Sequence, residues 1–135
     1  MKKWLLLPLL TIWIGLAYAG ILVGITPDEL QAMQSKGAVV VDVRTPEEWK
    51  KTGLIPGSKG LTYFTASGGY DKEAWMKQLK GLANPPNQPV ILVCASGTRS
   101  ALIGKMLATE AGYSQVYHLD KGVRGWSAES KLLEH

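Results

Sequence analysis

Apolar positions in this chain fall into two kinds of run. Short blocks rich in β-branched residues lie at 38–43 (AVVVDV), 90–93 (VILV) and 115–119 (QVYHL). The first two hardly alternate and are bounded by Gly, Pro or polar residues, the pattern of a strand buried on both faces of a parallel sheet. Between the blocks, apolar residues recur three and four apart, as on one face of a helix. Thr26-Pro27-Asp28-Glu29 opens such a stretch with an N-cap, a first-turn Pro and two acids at the positive end of the helix dipole; Gly37 closes it. Thr45-Pro46-Glu47-Glu48 repeats the pattern and predicts a short helix to Lys51. Further helices are predicted over 71–82, with Trp75 and Leu79 on one face, over 98–111, with a stripe of Leu102, Ile103, Met106 and Leu107, and over 123–132. Ile55-Pro56-Gly57-Ser58 reads as a turn, residues 58–64 as holding a short strand, and residues 84–89 as a Pro-rich connector. Strands alternating with helices define an α/β domain with a mainly parallel central sheet.

The N-terminus is patterned differently. Lys2 and Lys3 precede an apolar run from Trp4 to Leu16, and Ala17-Tyr18-Ala19 forms a small-x-small site before Gly20. This is the layout of an export signal over residues 1–19. Apolar character continues to Ile25, so an uncleaved membrane anchor reaching about residue 25 is the alternative. Either reading places the domain outside the cytoplasm, in a periplasm-like compartment, with membrane attachment if the segment is retained.

The 135 residues suffice for one domain, and 46% hydrophobic against 19% charged residues suit a packed core. The net charge of +4 does not point to nucleic acid. Two of the 15 basic residues, Lys2 and Lys3, belong to the N-terminal segment, which halves the excess over the 11 acidic ones. The remainder form no sustained stripe.

Cys94 is the only cysteine, which excludes an internal disulfide, a Cys-x-x-Cys redox pair and a multi-cysteine metal site; no metal site is expected. It stands at the carboxyl end of a predicted strand, the edge where open α/β sheets bind ligands. Ala95, Ser96 and Gly97 are small and lead into a helix starting near Thr98. Such a loop can turn its amides inward, and amides at a helix N-terminus attract an anion and favour a thiolate. Ser96, Thr98 and Ser100 add hydroxyls, and Arg99 adds a charge that either contacts substrate or ties the loop to Asp42 or Glu48.

Four stretches resemble the rhodanese family. VVVDVRTPEEW (39–49) is similar to its Asp-x-Arg-x-x-x-Glu-aromatic segment, and GLIPGSKGL (53–61) to its Gly-His-Ile-Pro-Gly-Ala signature. VILVCASGTRSALIGKMLATEAGYSQV (90–116) resembles the active-site region, and LDKGVRGW (119–126) the closing Leu-x-Gly-Gly-x-x-x-Trp. The resemblance spans most of residues 26–132 and implies a rhodanese domain whose central sheet has helices on both faces. It implies sulfur transfer through a persulfide on Cys94, cradled by the amides of Ala95, Ser96, Gly97, Thr98 and Arg99. No cofactor is implied beyond that covalent intermediate. The donor would be a small sulfur-containing anion such as thiosulfate, and the acceptor cyanide, a small thiol or a protein thiol.

Three positions depart from the family pattern. Lys121 replaces the first closing Gly, Leu54 a common His, and Ala95 an Arg often found after the cysteine. The last removes a charge that Lys121 or Arg124 would have to supply. Four residues separate Cys94 from Arg99, whereas related phosphatases have five, a wider cradle for phosphate. Phosphatase or arsenate reductase chemistry is therefore the weaker alternative. The rivals of another class are a non-catalytic interaction or sulfide-sensing module and a thiol that only forms mixed disulfides. Asp42 and Arg44 read as a structural pair supporting the site, and His118 as a structural residue on a strand. Trp49, Trp75 and Trp126 read as core, and Tyr63, Phe64, Thr65 and Ser67 as a rim beside the cysteine.

Overall fold

The computed structural model describes residues 20–83 and 88–135. Residues 1–19, read as an export signal, and most of the Pro-rich connector lie outside the described residues. The elements run β1 (Val23–Ile25), α1 (Pro27–Ser35), β2 (Val39–Asp42), α2 (Pro46–Thr52), β3 (Lys59–Gly60), α3 (Lys72–Leu82), β4 (Val90–Val93), α4 (Thr98–Thr109), β5 (Val116–Leu119) and α5 (Gly122–Ala128). The sheet order is β1-β5-β4-β2-β3, and every strand pair in it is parallel.

Both predicted N-caps form complete capping boxes. Thr26 and Thr45 each accept from the backbone three residues on, where Glu29 and Glu48 reach back to the cap amide. Two orphan amides are thereby satisfied at each helix start. The strand blocks bury both faces, as their lack of alternation required. Val41, Val43, Val90, Leu92, Cys94 and Val116 meet Trp75, Leu79, Ile103 and Leu107 of α3 and α4. Val40, Ile91, Val93 and Leu119 meet Leu30 of α1 and Val123 and Trp126 of α5 on the opposite face. Leu30, Leu79 and Leu107 are wholly buried; each such side chain contributes about 2 kcal/mol by leaving water.

The structure changes several expectations. Val23–Ile25 form an edge strand, with Val23 beside Tyr117 and Ile25 beside Leu119. The apolar stretch from Trp4 to Ile25 is thus divided, and its last three residues belong to the domain. Leu102 is 62% exposed rather than part of the buried stripe. Ser100, Ile103, Gly104, Leu107 and Ala108 form the buried face, and the helix turns Leu102 away from it. The strand sought in 58–64 has two residues, and α5 ends at Ala128. Beyond α5 the chain folds back: Ser130 is left-handed at φ 58°, and the Trp126 indole donates to the Leu132 carbonyl at 3.0 Å. Leu54, at the unusual family position, exchanges backbone hydrogen bonds with Glu134.

Candidate active site

Three loops meet at the carboxyl edge of the sheet. After β2, the buried Asp42 carboxylate accepts from Arg44 Nε at 3.0 Å and Nη2 at 2.8 Å, and from the Arg44 amide at 3.0 Å. Arg44 also donates to Thr52 Oγ1 at 2.7 Å and to the Gly53 carbonyl at 2.8 Å. Every strong polar atom of the pair is partnered, as burial of two charges requires. This supports the structural reading of Asp42 and Arg44: the pair joins the end of β2 to the end of α2.

After β4, Cys94 is 1% exposed. Its Sγ accepts from the Gly97 amide at 3.1 Å and the Ser100 amide at 3.3 Å, and lies 3.4 Å from Ser100 Oγ. These donors sit at the start of α4, where the helix dipole adds to their attraction for negative charge. Ser96 and Thr98 are exposed, and their hydroxyls have no hydrogen bond within the described residues. Of the three hydroxyls expected near the sulfur, Ser100 is the one brought to it.

The loop curls because Gly97 adopts φ 98°, and a Cβ there would overlap the Asp120 carbonyl. Gly122 makes the reciprocal approach at φ 60°, against the backbone of Cys94 and Ala95. The amides of Val123 and Arg124 then donate to the Cys94 and Ala95 carbonyls at 2.9 and 3.1 Å. Lys121 has φ −107°, which any residue adopts, so the departure at this position strains nothing.

Arg99 does not face an open site. Its guanidinium donates to both Glu48 oxygens, at 2.7 and 2.8 Å. Arg99 therefore braces the loop against α2, one of the two roles its sequence position allowed. The same bonds hold the Glu48 carboxyl down to about 2, opposed by burial and helped by Thr45. They also raise the Arg99 pKa.

Beside Ala95, Lys51 and Arg124 line a cleft of about 200 Å³ with Arg44 and Glu48. Neither Lys51 nor Arg124 has an ion-pair partner among the described residues. Tyr63 and Phe64, read as a rim beside the cysteine, pack in the same core cluster as Cys94. Their rings pack edge to face at 4.8 Å and line a separate groove along α4 with Tyr70, Leu102 and Met106. Thr65 and Ser67 hydrogen bond to each other at 3.1 Å. Sequence reasoning missed a further neighbour, His118, whose Nδ1 is 3.0 Å from Ser100 Oγ. The β4–β5 register brings it there: His118 pairs with Leu92, two residues before Cys94 on the same face.

A parallel α/β sheet with a cysteine cradled by amides at its carboxyl edge matches one family throughout the domain. The rhodanese-like domain model matches residues 26–129, and the chain belongs to that family of sulfurtransferases. Among its relatives is the thiosulfate sulfurtransferase GlpE of Ectopseudomonas mendocina, 33% identical over 104 residues that span 77% of this chain and 84% of that protein. The GlpE of Pseudomonas fluorescens Pf-5 is 29% identical over 102 residues, spanning 76% of this chain and 82% of that one. The solution structure of the polysulfide-sulfur transferase homodimer from Wolinella succinogenes shares the fold, with a TM-score of 0.62 at 21% identity, covering 87% of this chain and 80% of that one.

Proposed function

We propose that this protein moves sulfane sulfur from a small anionic donor to a thiophilic acceptor through a persulfide on Cys94. The observation that carries the reading is the sulfur cradle, in which the Gly97 and Ser100 amides point at Cys94 Sγ. Those donors stabilise a sulfur anion without a metal or a second thiol.

With thiosulfate, the Cys94 thiolate attacks the outer sulfur. A new S–S bond forms, the bond to the sulfonate sulfur breaks with its electron pair, and sulfite leaves. The outer sulfur then carries the negative charge within the loop. Cyanide, a small thiol or a protein thiol attacks that sulfur and regenerates the thiolate. The step is a ping-pong transfer. Lys51 and Arg124, which line the cleft beside Ala95, supply positive charge for the donor where an Arg at position 95 is lacking. The N-terminal layout supports export of the domain, checked by the mass of the mature N-terminus: a chain starting near Gly20 supports export, and a retained Met1 opposes cleavage.

Intact mass spectrometry tests the chemistry. The protein gains one sulfur atom on incubation with thiosulfate, loses it to cyanide as thiocyanate, and does neither as Cys94→Ser. An unchanged mass rejects thiosulfate as donor and favours the interaction-module reading.

A further inference from the structure

Behind the amide cradle lies a second set of contacts. Ser100 Oγ has one hydrogen and three neighbours: Cys94 Sγ at 3.4 Å, the Gly97 carbonyl at 3.2 Å and His118 Nδ1 at 3.0 Å. Ser100 is wholly buried and His118 is 7% exposed, so these groups have little water as an alternative partner. They come from three elements. Cys94 follows β4, Ser100 lies in the first turn of α4, and His118 is on β5. Their convergence follows from the strand order, because β5 lies beside β4 and alternation turns His118 to the Cys94 face.

We infer that Ser100 and His118 form a proton relay that sets the ionisation of Cys94, with His118 acting as a positioning residue through the Ser100 hydroxyl. In the thiol state, Sγ–H donates to Ser100 Oγ and the Ser100 hydroxyl donates to Nδ1 of neutral His118. On ionisation the thiol proton passes to Ser100 Oγ while the Ser100 hydrogen passes to Nδ1. The thiolate then accepts from the Ser100 hydroxyl as well as from the two amides, and the imidazolium donates to Oγ. No proton is lost, and no oxidant or reductant enters.

The surroundings of His118 fit this role. Burial lowers its pKa, which leaves it neutral near pH 7; Asp120, in the turn just after β5, acts in the opposite sense and favours the imidazolium. From β4 the ionisable neighbour is Cys94, reached through Ser100 of α4, and opposite on β1 stands Gly24, which has no charge. Arg99, between Cys94 and Ser100 in the chain, is held by Glu48. Linkage makes the coupling reciprocal: a protonated His118 favours the thiolate, and the thiolate favours a protonated His118.

The relay concerns the thiol and does not need a sulfur donor, so its test is separate from that of sulfur transfer. The rate of Cys94 alkylation by iodoacetamide, followed from pH 5 to pH 10, reports the thiolate. The wild-type profile rises in two steps, as for any coupled pair. His118→Asn keeps a polar atom near Nδ1 without a titrating group. It gives a single step and a rate near pH 7 about tenfold lower. Ser100→Ala cuts the relay with His118 in place and also gives a single step. Profiles of both variants that superimpose on wild type overturn the relay. NMR titration of unsubstituted protein covers variants that do not fold. His118 is one of two histidines, and its titration midpoint falls when Cys94 is alkylated. An unmoved midpoint overturns the coupling.

Discussion

Glu48→Gln removes the charge that holds Arg99 while keeping the size of the side chain. The Glu48 carboxyl is displaced from 4.5 to about 2, with the Arg99 hydrogen bonds as the largest cause. A displacement of that size corresponds to at most about 3 kcal/mol of folding free energy. The side chains of Arg99 and Glu48 are 30% and 32% exposed, however. Solvent screening brings the expected loss to about 1–2 kcal/mol. The sign follows from the direction of the shift. The folded-state value lies below the unfolded one, so the stabilisation is complete above about 4.5 and is lost as pH falls toward about 2. Urea unfolding of wild type and variant at a series of pH values measures it. The stability gap is expected near pH 7 and shrinks toward zero as the pH approaches 2. A gap that is absent at neutral pH, or equally large at both ends, refutes the brace as an ionic contact.

Four further outcomes test other parts of the site. Asp42→Ala leaves the buried Arg44 charge without its carboxylate and lowers stability by about 3–5 kcal/mol in urea unfolding. Gly122→Ala places a Cβ at φ 60° against the Cys94 and Ala95 backbone; calorimetry shows a loss of at least about 2 kcal/mol. Ala95→Arg restores a cation beside the sulfur and raises kcat/KM for thiosulfate several-fold in a thiocyanate assay. Lys51→Ala combined with Arg124→Ala raises KM for thiosulfate and leaves the alkylation rate of Cys94 unchanged, since both side chains act on the donor.

The buried strands, capped helices and sulfur loop were legible because each is written locally. Three β-branched valines at 39–41 have few alternatives to a buried strand, and Thr45 with Glu48 describes a capping box within four residues. Strand β1 was hidden because Ile21–Ile25 continues the composition of the preceding apolar segment, and its partner β5 is distant in sequence. Leu102 was misplaced because an apolar residue beside a buried stripe reads like a member of it. The Arg99–Glu48 contact was foreseeable as one of two roles, since a cation on a loop beside buried strands has few carboxylates within reach. The Ser100–His118 contact needed the order of strands, which no local pattern contains.

That strand order also governs how the fold can be assembled. The first strand, β1, has β5 as its neighbour in the sheet, and β5 in turn lies between β1 and β4. A nascent or refolding chain therefore cannot seat its first strand until nearly the whole domain is available. Parallel pairing of such distant segments delays the reward for closing the chain and slows folding. Until then Ile25 lacks its β5 neighbour Leu119, and the edge residues of β1 remain unclaimed. The sulfur cradle is subject to the same delay, because Gly97 and Gly122 can interlock only after β5 has turned into α5. Thiol reactivity of the native kind should emerge as one of the last events of folding, which makes Cys94 a built-in reporter of its completion.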